Sequence, residues 1–303
     1  MQLLSLEEYF RFVGVEAAVS REAGCEICGA GDPRILRDSV RVTDGLRVSL
    51  SVVCCRKCGH LYQVPRFDER FYRSYYAAAY RKILSGSRFP EPSLIEDQLA
   101  RGEHIYESLK LHLPERGAML DVGASAGGVM AAFRKRGWRT YGTDPDAGSV
   151  EYGIRRLGVD LAVTCAEDME LAPDTFDLVL ITGSLEHVFD PNRVLSICRR
   201  ASKAGALLFL EGRGLAQARH VGACGHNHRR FLTRHSIGLF MAKHGWSVLW
   251  TTDRELSGPT RPLSVFGLGE ARDAEHGASA LAEPLLQSRL ADIVRQFDAW
   301  KIK

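Results

Sequence analysis

Apolar positions along this chain fall into two rhythms. Short unbroken runs at residues 118–120, 139–143, 161–164, 176–181 and 206–210 predict buried strands, and helices are expected between them over 129–136, 148–157 and from Pro191 to about Lys203. Upstream, Leu94, Ile95, Leu99, Ile105 and Leu109 mark a helix over 93–112 that leads into the first strand. Downstream, a helix over 233–244 precedes strands at 246–252 and 263–269. Within residues 1–20, Leu6, Tyr9, Phe10 and Val13 give one face of a short helix, and 35–53 alternates as a hairpin turning at Thr43, Asp44 and Gly45. Residues 81–92, rich in Ser, Gly and Pro, read as a boundary loop. Over 271–303, Leu281, Leu285, Leu286, Leu290, Ile293, Val294 and Phe297 mark a last helix, whose stripe either packs on the core or forms a homodimer contact.

The first strand and the helix after it meet in a turn that carries chemistry. The strand ends in Asp121, the chain turns on Gly123 and Gly127, and the helix opens at once. Glycine permits positive φ and close approach of a ligand, and the free N–H groups of the first helical turn point to the same place. The second strand ends on Asp144, 21 positions after Gly123, where a carboxylate accepts hydrogen bonds from ribose hydroxyls. Nicotinamide, flavin and S-adenosylmethionine sites all share such a turn and acid. Asp121 separates them, because its charge repels a pyrophosphate and suits the ammonium of a methionine moiety. The third glycine of the dinucleotide fingerprint is also missing.

These residues resemble the first motif of the class I S-adenosylmethionine-dependent methyltransferases, Asp-x-Gly-x-Gly-x-Gly, with Ser125 at the middle glycine. The resemblance continues through Gly142-Thr143-Asp144-Pro145, Thr175-Phe176-Asp177, Leu185-Glu186-His187-Val188-Phe189-Asp190-Pro191 and Lys203-Ala204-Gly205. It implies an α/β fold over residues 93–270, a Rossmann-like doubly wound sheet that is mostly parallel with an antiparallel closing strand. It also implies a cofactor pocket that includes Asp121, Gly123, Ser125, Gly127, Asp144, Pro145 and Ser184. The family commonly places an acid beside the adenine amino group, at a position occupied here by Cys165. That contact therefore falls to Glu167, Asp168 or the backbone, with a solvated turn as the alternative. Loops after the strands' C-terminal ends line the crevice of this architecture, which brings Glu186 and His187 to the reaction site.

Composition narrows the setting. The 303 residues are 45% hydrophobic and 25% charged with a net charge of +3, ordinary for a globular chain and no argument for nucleic acid or an anionic membrane. No apolar run is long enough to span a bilayer and no basic-then-apolar leader opens the chain, so a cytoplasmic location is expected. Of eight cysteines, five lie between Cys25 and Cys58. The knuckles Cys25-Glu26-Ile27-Cys28-Gly29 and Cys55-Arg56-Lys57-Cys58-Gly59 suit a tetrahedral structural Zn2+ in a zinc ribbon over 21–66. Cys54 competes with Cys55, and the two-residue spacing to Cys58 favours Cys55. Arg47, Arg56, Lys57 and Arg66 are few and not interleaved with stacking aromatics, which argues against nucleic-acid binding.

The segment over 67–92 is rich in aromatics, among them Phe71, Tyr72, Tyr75, Tyr76 and Tyr80, and one reading is a helix packing them onto the main domain. The order of knuckle, Pro65 and aromatics also resembles a zinc-ribbon subfamily of these methyltransferases that acts on sugars and other small biosynthetic intermediates. That resemblance implies that Tyr76 and Tyr80 close over the cofactor. Near the end, His226, His228, Arg229 and Arg230 admit three readings: a base with an anion clamp, a second metal site, or a solvated loop. At alternate positions of an extended stretch the two histidines point the same way, and the arginines fit a phosphate-bearing acceptor such as a nucleotide-linked sugar. The expected function is methyl transfer from S-adenosylmethionine to a small molecule, on oxygen or carbon, with His187, Glu186, His226 and His228 as candidate bases. The alternatives are a nucleic-acid methyltransferase guided by the ribbon and a non-catalytic cofactor-binding protein, the latter suggested by Ser125 and Cys165.

Overall fold

Leu178 and Leu180 face one side of the central sheet while Val179 and Ile181 face the other, and all four are buried. A strand covered on both faces needs helices on both sides. On the first side, helices Pro92–Leu109 and Gly128–Arg134 supply Ile105, Leu109, Val129, Met130 and Phe133. On the second, Pro191–Ala201 and Arg234–Lys243 supply Val194, Leu195, Ile237 and Phe240. The computed structural model describes residues 5–16, 19–20, 24–43, 45–213, 225–260 and 264–272. The hairpin tip Asp44, residues 214–224 and the expected C-terminal helix with its dimer contact lie outside them.

The strands of the main sheet are β1 (Ala118–Val122), β2 (Arg139–Asp144), β3 (Leu161–Val163), β4 (Phe176–Thr182), β5 (Ser202–Arg213), β6 (Trp246–Thr252) and β7 (Ser264–Ala271). Their spatial order is β3-β2-β1-β4-β5-β7-β6, with β1 to β5 parallel and β7 antiparallel to both of its neighbours. The order reverses between β1 and β4, and a crevice opens there at the strands' C-terminal ends. Among the described residues no helix is long and apolar enough to cross a membrane.

The cysteine-rich segment forms its own small sheet. Pro33–Arg37 pairs with Val52–Cys55, and Val52–Cys55 pairs with Leu61–Gln63, all antiparallel. Its edge strand, Arg230–Phe231, comes from the far end of the chain. Val53 and Cys55 face the main core, while Val52 and Cys54 face a second core with Tyr9, Phe67, Phe71, Tyr72 and Phe231. The ribbon is thus built into the main domain on one face and carries the N-terminal helix Leu6–Val13 on the other.

Residues 69–85 are helical, with helix Glu69–Ser74 capped by Asp68, a π-helical turn Tyr75–Ala79, and helix Tyr80–Ser85. The loop expected from residue 81 begins only at Gly86, whose φ of 66° ends the helix. The Ser/Gly/Pro cluster begins at Ser85, and Arg81 stays helical with its guanidinium on Asp146 at 2.8 Å.

Candidate active site

The crevice has a volume of about 370 Å³ and takes its floor from the β1 turn. Gly123 stands at φ 75°, and a Cβ there meets the Ser184 Cβ at 2.5 Å, so both conformation and space require glycine. Gly127 stands at φ 74°, and a Cβ there meets Val159 at 2.8 Å; it shapes the turn and opens the helix. Ser125, between them, adopts a left-handed φ of 52°. This explains the glycine of the resembling motif, and serine holds the same backbone at some strain. The Ser125 N–H donates to Asp144 Oδ2 at 2.8 Å and the Asp146 N–H donates to Oδ1 at 2.9 Å, which fixes the Asp144 carboxylate at the tip of β2.

Asp121 is 1% exposed, and its Oδ1 has no hydrogen-bond partner among the described residues. Burial, with Asp144 close by, pushes its carboxyl up to about 7, and burial likewise pushes Asp144 up to about 6. A buried carboxylate without a donor is a site that calls for a cation. Beside it, Arg101 Nη2 donates to Glu211 Oε2 at 2.9 Å and leaves Nε unpartnered among the described residues. Ser257 and Ser264 donate to the other Glu211 oxygen.

His187 lines the same crevice. Its Nδ1 lies 2.9 Å from the Asn227 carbonyl oxygen and 2.9 Å from the Tyr76 hydroxyl. A carbonyl can only accept, so Nδ1 carries the proton and Nε2 the lone pair. Burial, reinforced by Arg213, Arg229 and Arg230, pushes the imidazole down to about 3 and keeps it neutral. Tyr72, Tyr76 and Tyr80 roof the same crevice. Their segment is tied down where Arg73 meets Glu69 and Asp168 and where Arg81 meets Asp146.

The structure separates the other candidates. Pro145, Ser184, Cys165 and Glu167 line the crevice, but Glu167 Oε1 accepts the N–H groups of Phe189 and Asp190. Asp168 lies outside it, because its carboxylate pairs with Arg73. Glu186 is buried behind the wall, accepting the Arg213 N–H. Residues 226–227 form a turn rather than an extended stretch, so the two histidines diverge. His226 enters the aromatic core, Nε2 2.6 Å from the Tyr9 hydroxyl, while the His228 ring packs behind His187 at 4.8 Å. Neither lines the crevice. The two arginines diverge as well. Arg229 faces the crevice, whereas Arg230 places Nε and Nη2 each 2.8 Å from the Glu26 carboxylate.

The Sγ atoms of Cys25, Cys28, Cys55 and Cys58 all lie within 4.8 Å of one another, with Cys25–Cys58 and Cys28–Cys55 at 3.5 Å. Four sulfurs tetrahedrally placed around an ion at ~2.3 Å stand ~3.8 Å apart, so the cluster has the size and donor set for zinc. Cys54 packs instead in the second core. Sequence reasoning passed over Glu26, Arg101 and Arg81. Their signal was polarity at core positions, as with Gln98 and Arg101, one turn apart on the inner face of Pro92–Leu109.

Known proteins supply the comparison. The family described as a methyltransferase domain matches residues 120–210. A ubiquinone biosynthesis O-methyltransferase of Hahella chejuensis is 34% identical over 120 residues, 35% of this chain and 50% of the relative. One from Pseudomonas paraeruginosa is 36% identical over 100 residues, 30% and 42%. The chain thus spans about half the length of the curated relatives it matches. Among solved structures, a chain from the complex of the Haloferax volcanii Trm112 methyltransferase activator with its methyltransferase has a TM-score of 0.50. It is 13% identical and covers 60% of this chain and 95% of that one. The fold is that of a class I S-adenosylmethionine-dependent methyltransferase. The matched region contains the β1 turn, Asp144 and the His187 loop.

Proposed function

We propose that the protein transfers the methyl group of S-adenosylmethionine to a hydroxylated small-molecule acceptor. One observation carries the reading: the Asp121 carboxylate, whose Oδ1 has no hydrogen-bond partner among the described residues, the Asp144 carboxylate and the His187 imidazole open on one crevice. Asp121 takes the methionine ammonium, Arg101 the methionine carboxylate, and Asp144 the ribose. The bound cofactor supplies an electrophilic methyl group. His187 stays neutral, and its Nε2 lone pair, oriented through Nδ1 by the Asn227 carbonyl, accepts a hydrogen bond from the acceptor's hydroxyl and aims that oxygen at the methyl group. Tyr76 and Tyr80 exclude water above. O-methylation of a biosynthetic intermediate is supported by the names of the relatives.

The thiolates of Cys25, Cys28, Cys55 and Cys58 hold a structural zinc with no open position for water. Its role is to fix the knuckle whose Glu26 grips Arg230.

The test is transfer of labelled methyl from S-adenosylmethionine to a panel of catechols, hydroxybenzoates and nucleotide-linked sugars. Transfer to at least one, lowered about 100-fold in kcat by His187→Gln with S-adenosylhomocysteine affinity kept, is the expected result. A cofactor-binding protein that methylates none of them would sink the proposal.

A further inference from the structure

Five arginines line the crevice, and carboxylates hold three of them: Arg73 by Glu69 and Asp168, Arg81 by Asp146, and Arg101 by Glu211. Arg213 and Arg229 have no carboxylate partner among the described residues. Arg229 is the more informative, being 1% exposed. Its Nε donates to the Val188 carbonyl at 3.0 Å, its guanidinium lies 3.7 Å over the Tyr72 ring, and its Nη1 has no hydrogen-bond partner among the described residues. Stacking on a ring and one carbonyl leave most of a buried positive charge uncompensated, which is costly unless something else completes it. The neighbouring Arg230 shows the contrast, since the fold brings Glu26 to it across 204 positions. Among the described residues no such acid is brought to Arg229, which lines the crevice near enough to His187 to help depress its imidazole.

We infer that the acceptor carries an anionic group, a carboxylate or a phosphate, that docks on Arg229 with Arg213 assisting at the mouth of the crevice. The inference rests on the methyl-transfer reading and deepens it. Asp121 serves the cationic end of the cofactor and Arg229 the anionic end of the acceptor, so the two ligands are sorted by charge within one crevice. The hydroxyl to be methylated then lies close to the acceptor's own negative group, because Arg229 is near enough to His187 to act on its imidazole. A planar guanidinium held flat on Tyr72 suits an oxyanion bound by two N–H groups.

The experiment is calorimetric titration of the full chain, saturated with S-adenosylhomocysteine, with 4-hydroxybenzoate, phenyl phosphate and the neutral 4-hydroxybenzamide. At least one anion should bind about tenfold or more tighter than the amide, and which one does so separates carboxylate from phosphate. Arg229→Gln should erase that preference and Arg229→Lys should keep part of it, each with S-adenosylhomocysteine affinity unchanged. Arg213→Gln, at an exposed position, should weaken the preferred anion without touching the amide. Equal affinity for anions and amide in the native chain, or a preference that survives Arg229→Gln, would overturn the inference. Failure to bind S-adenosylhomocysteine would instead strike the methyl-transfer reading itself.

Discussion

Glu26→Gln is the most searching perturbation of how ribbon and crevice are joined. The Glu26 side chain is 7% exposed and sits between Cys25 and Cys28. Its carboxylate receives Arg230 through two nitrogens at 2.8 Å, Arg66 at 2.5 Å and His60 at 3.3 Å. Arg230, fully buried, in turn donates to the carbonyls of Leu185 and Val188, which flank His187. Glutamine keeps the shape but removes the negative charge that the Arg66 and Arg230 guanidinium groups face. Breaking a buried pair of this kind costs about 3–5 kcal/mol. That is a large share of a total stability of about 5–15 kcal/mol. The assay is urea unfolding of zinc-replete protein, where an m-value near 3 kcal/mol per M turns the loss into a midpoint about 1 M lower or more. Amide exchange at residues 186–190 should accelerate in step, because those carbonyls lose the group that gathers them. A loss below about 1 kcal/mol would show that the carboxylate is not charged and paired as described, and would refute the coupling of knuckle to crevice.

Other consequences follow from single groups. Asp121 is raised to about 7 by burial, so in the cofactor-free protein folding favours its protonated form, and that contribution to stability is lost as pH rises through about 7. Cofactor ammonium favours the carboxylate, so S-adenosylhomocysteine should bind more tightly between about pH 6 and 8 with release of protons below 7, and Asp121→Asn should flatten both effects in calorimetry. Ser125→Gly should raise stability by about 0.5–1 kcal/mol in thermal or urea unfolding, because relief of the left-handed strain exceeds the entropy cost of glycine. Cys55→Ser should lower bound zinc and destabilise the chain, whereas Cys54→Ser should leave zinc stoichiometry at one per chain by metal analysis.

The parallel strands and the β1 turn were legible because their signals are local. Apolar runs at residues 118–120 and 176–181 sit where β1 and β4 form, and the glycine spacing fixes the turn that Gly123 and Gly127 make. Partner choice was not legible. Arg229 and Arg230 are neighbours with equal chemistry, yet one meets Glu26 across 204 positions and the other faces the crevice. His226 finds Tyr9 across 217 positions and leaves the reaction site for that reason. The aromatic segment is helical as one reading has it, but its end was obscured because the Ser/Gly/Pro cluster masks where Tyr80–Ser85 stops. What arranged these residues is the ribbon sheet, whose edge strand Arg230–Phe231 turns the chain at 225–229 toward the crevice.

The central claim is that the crevice under Tyr76 and Tyr80 holds S-adenosylmethionine through Asp121 and Asp144. Calorimetric titration of the native chain and of Asp144→Ala with S-adenosylhomocysteine tests it most directly. The account predicts one site per chain with a dissociation constant of about micromolar order, weakened at least about tenfold by the substitution. Absence of binding to folded native protein, or binding indifferent to Asp144, would contradict it.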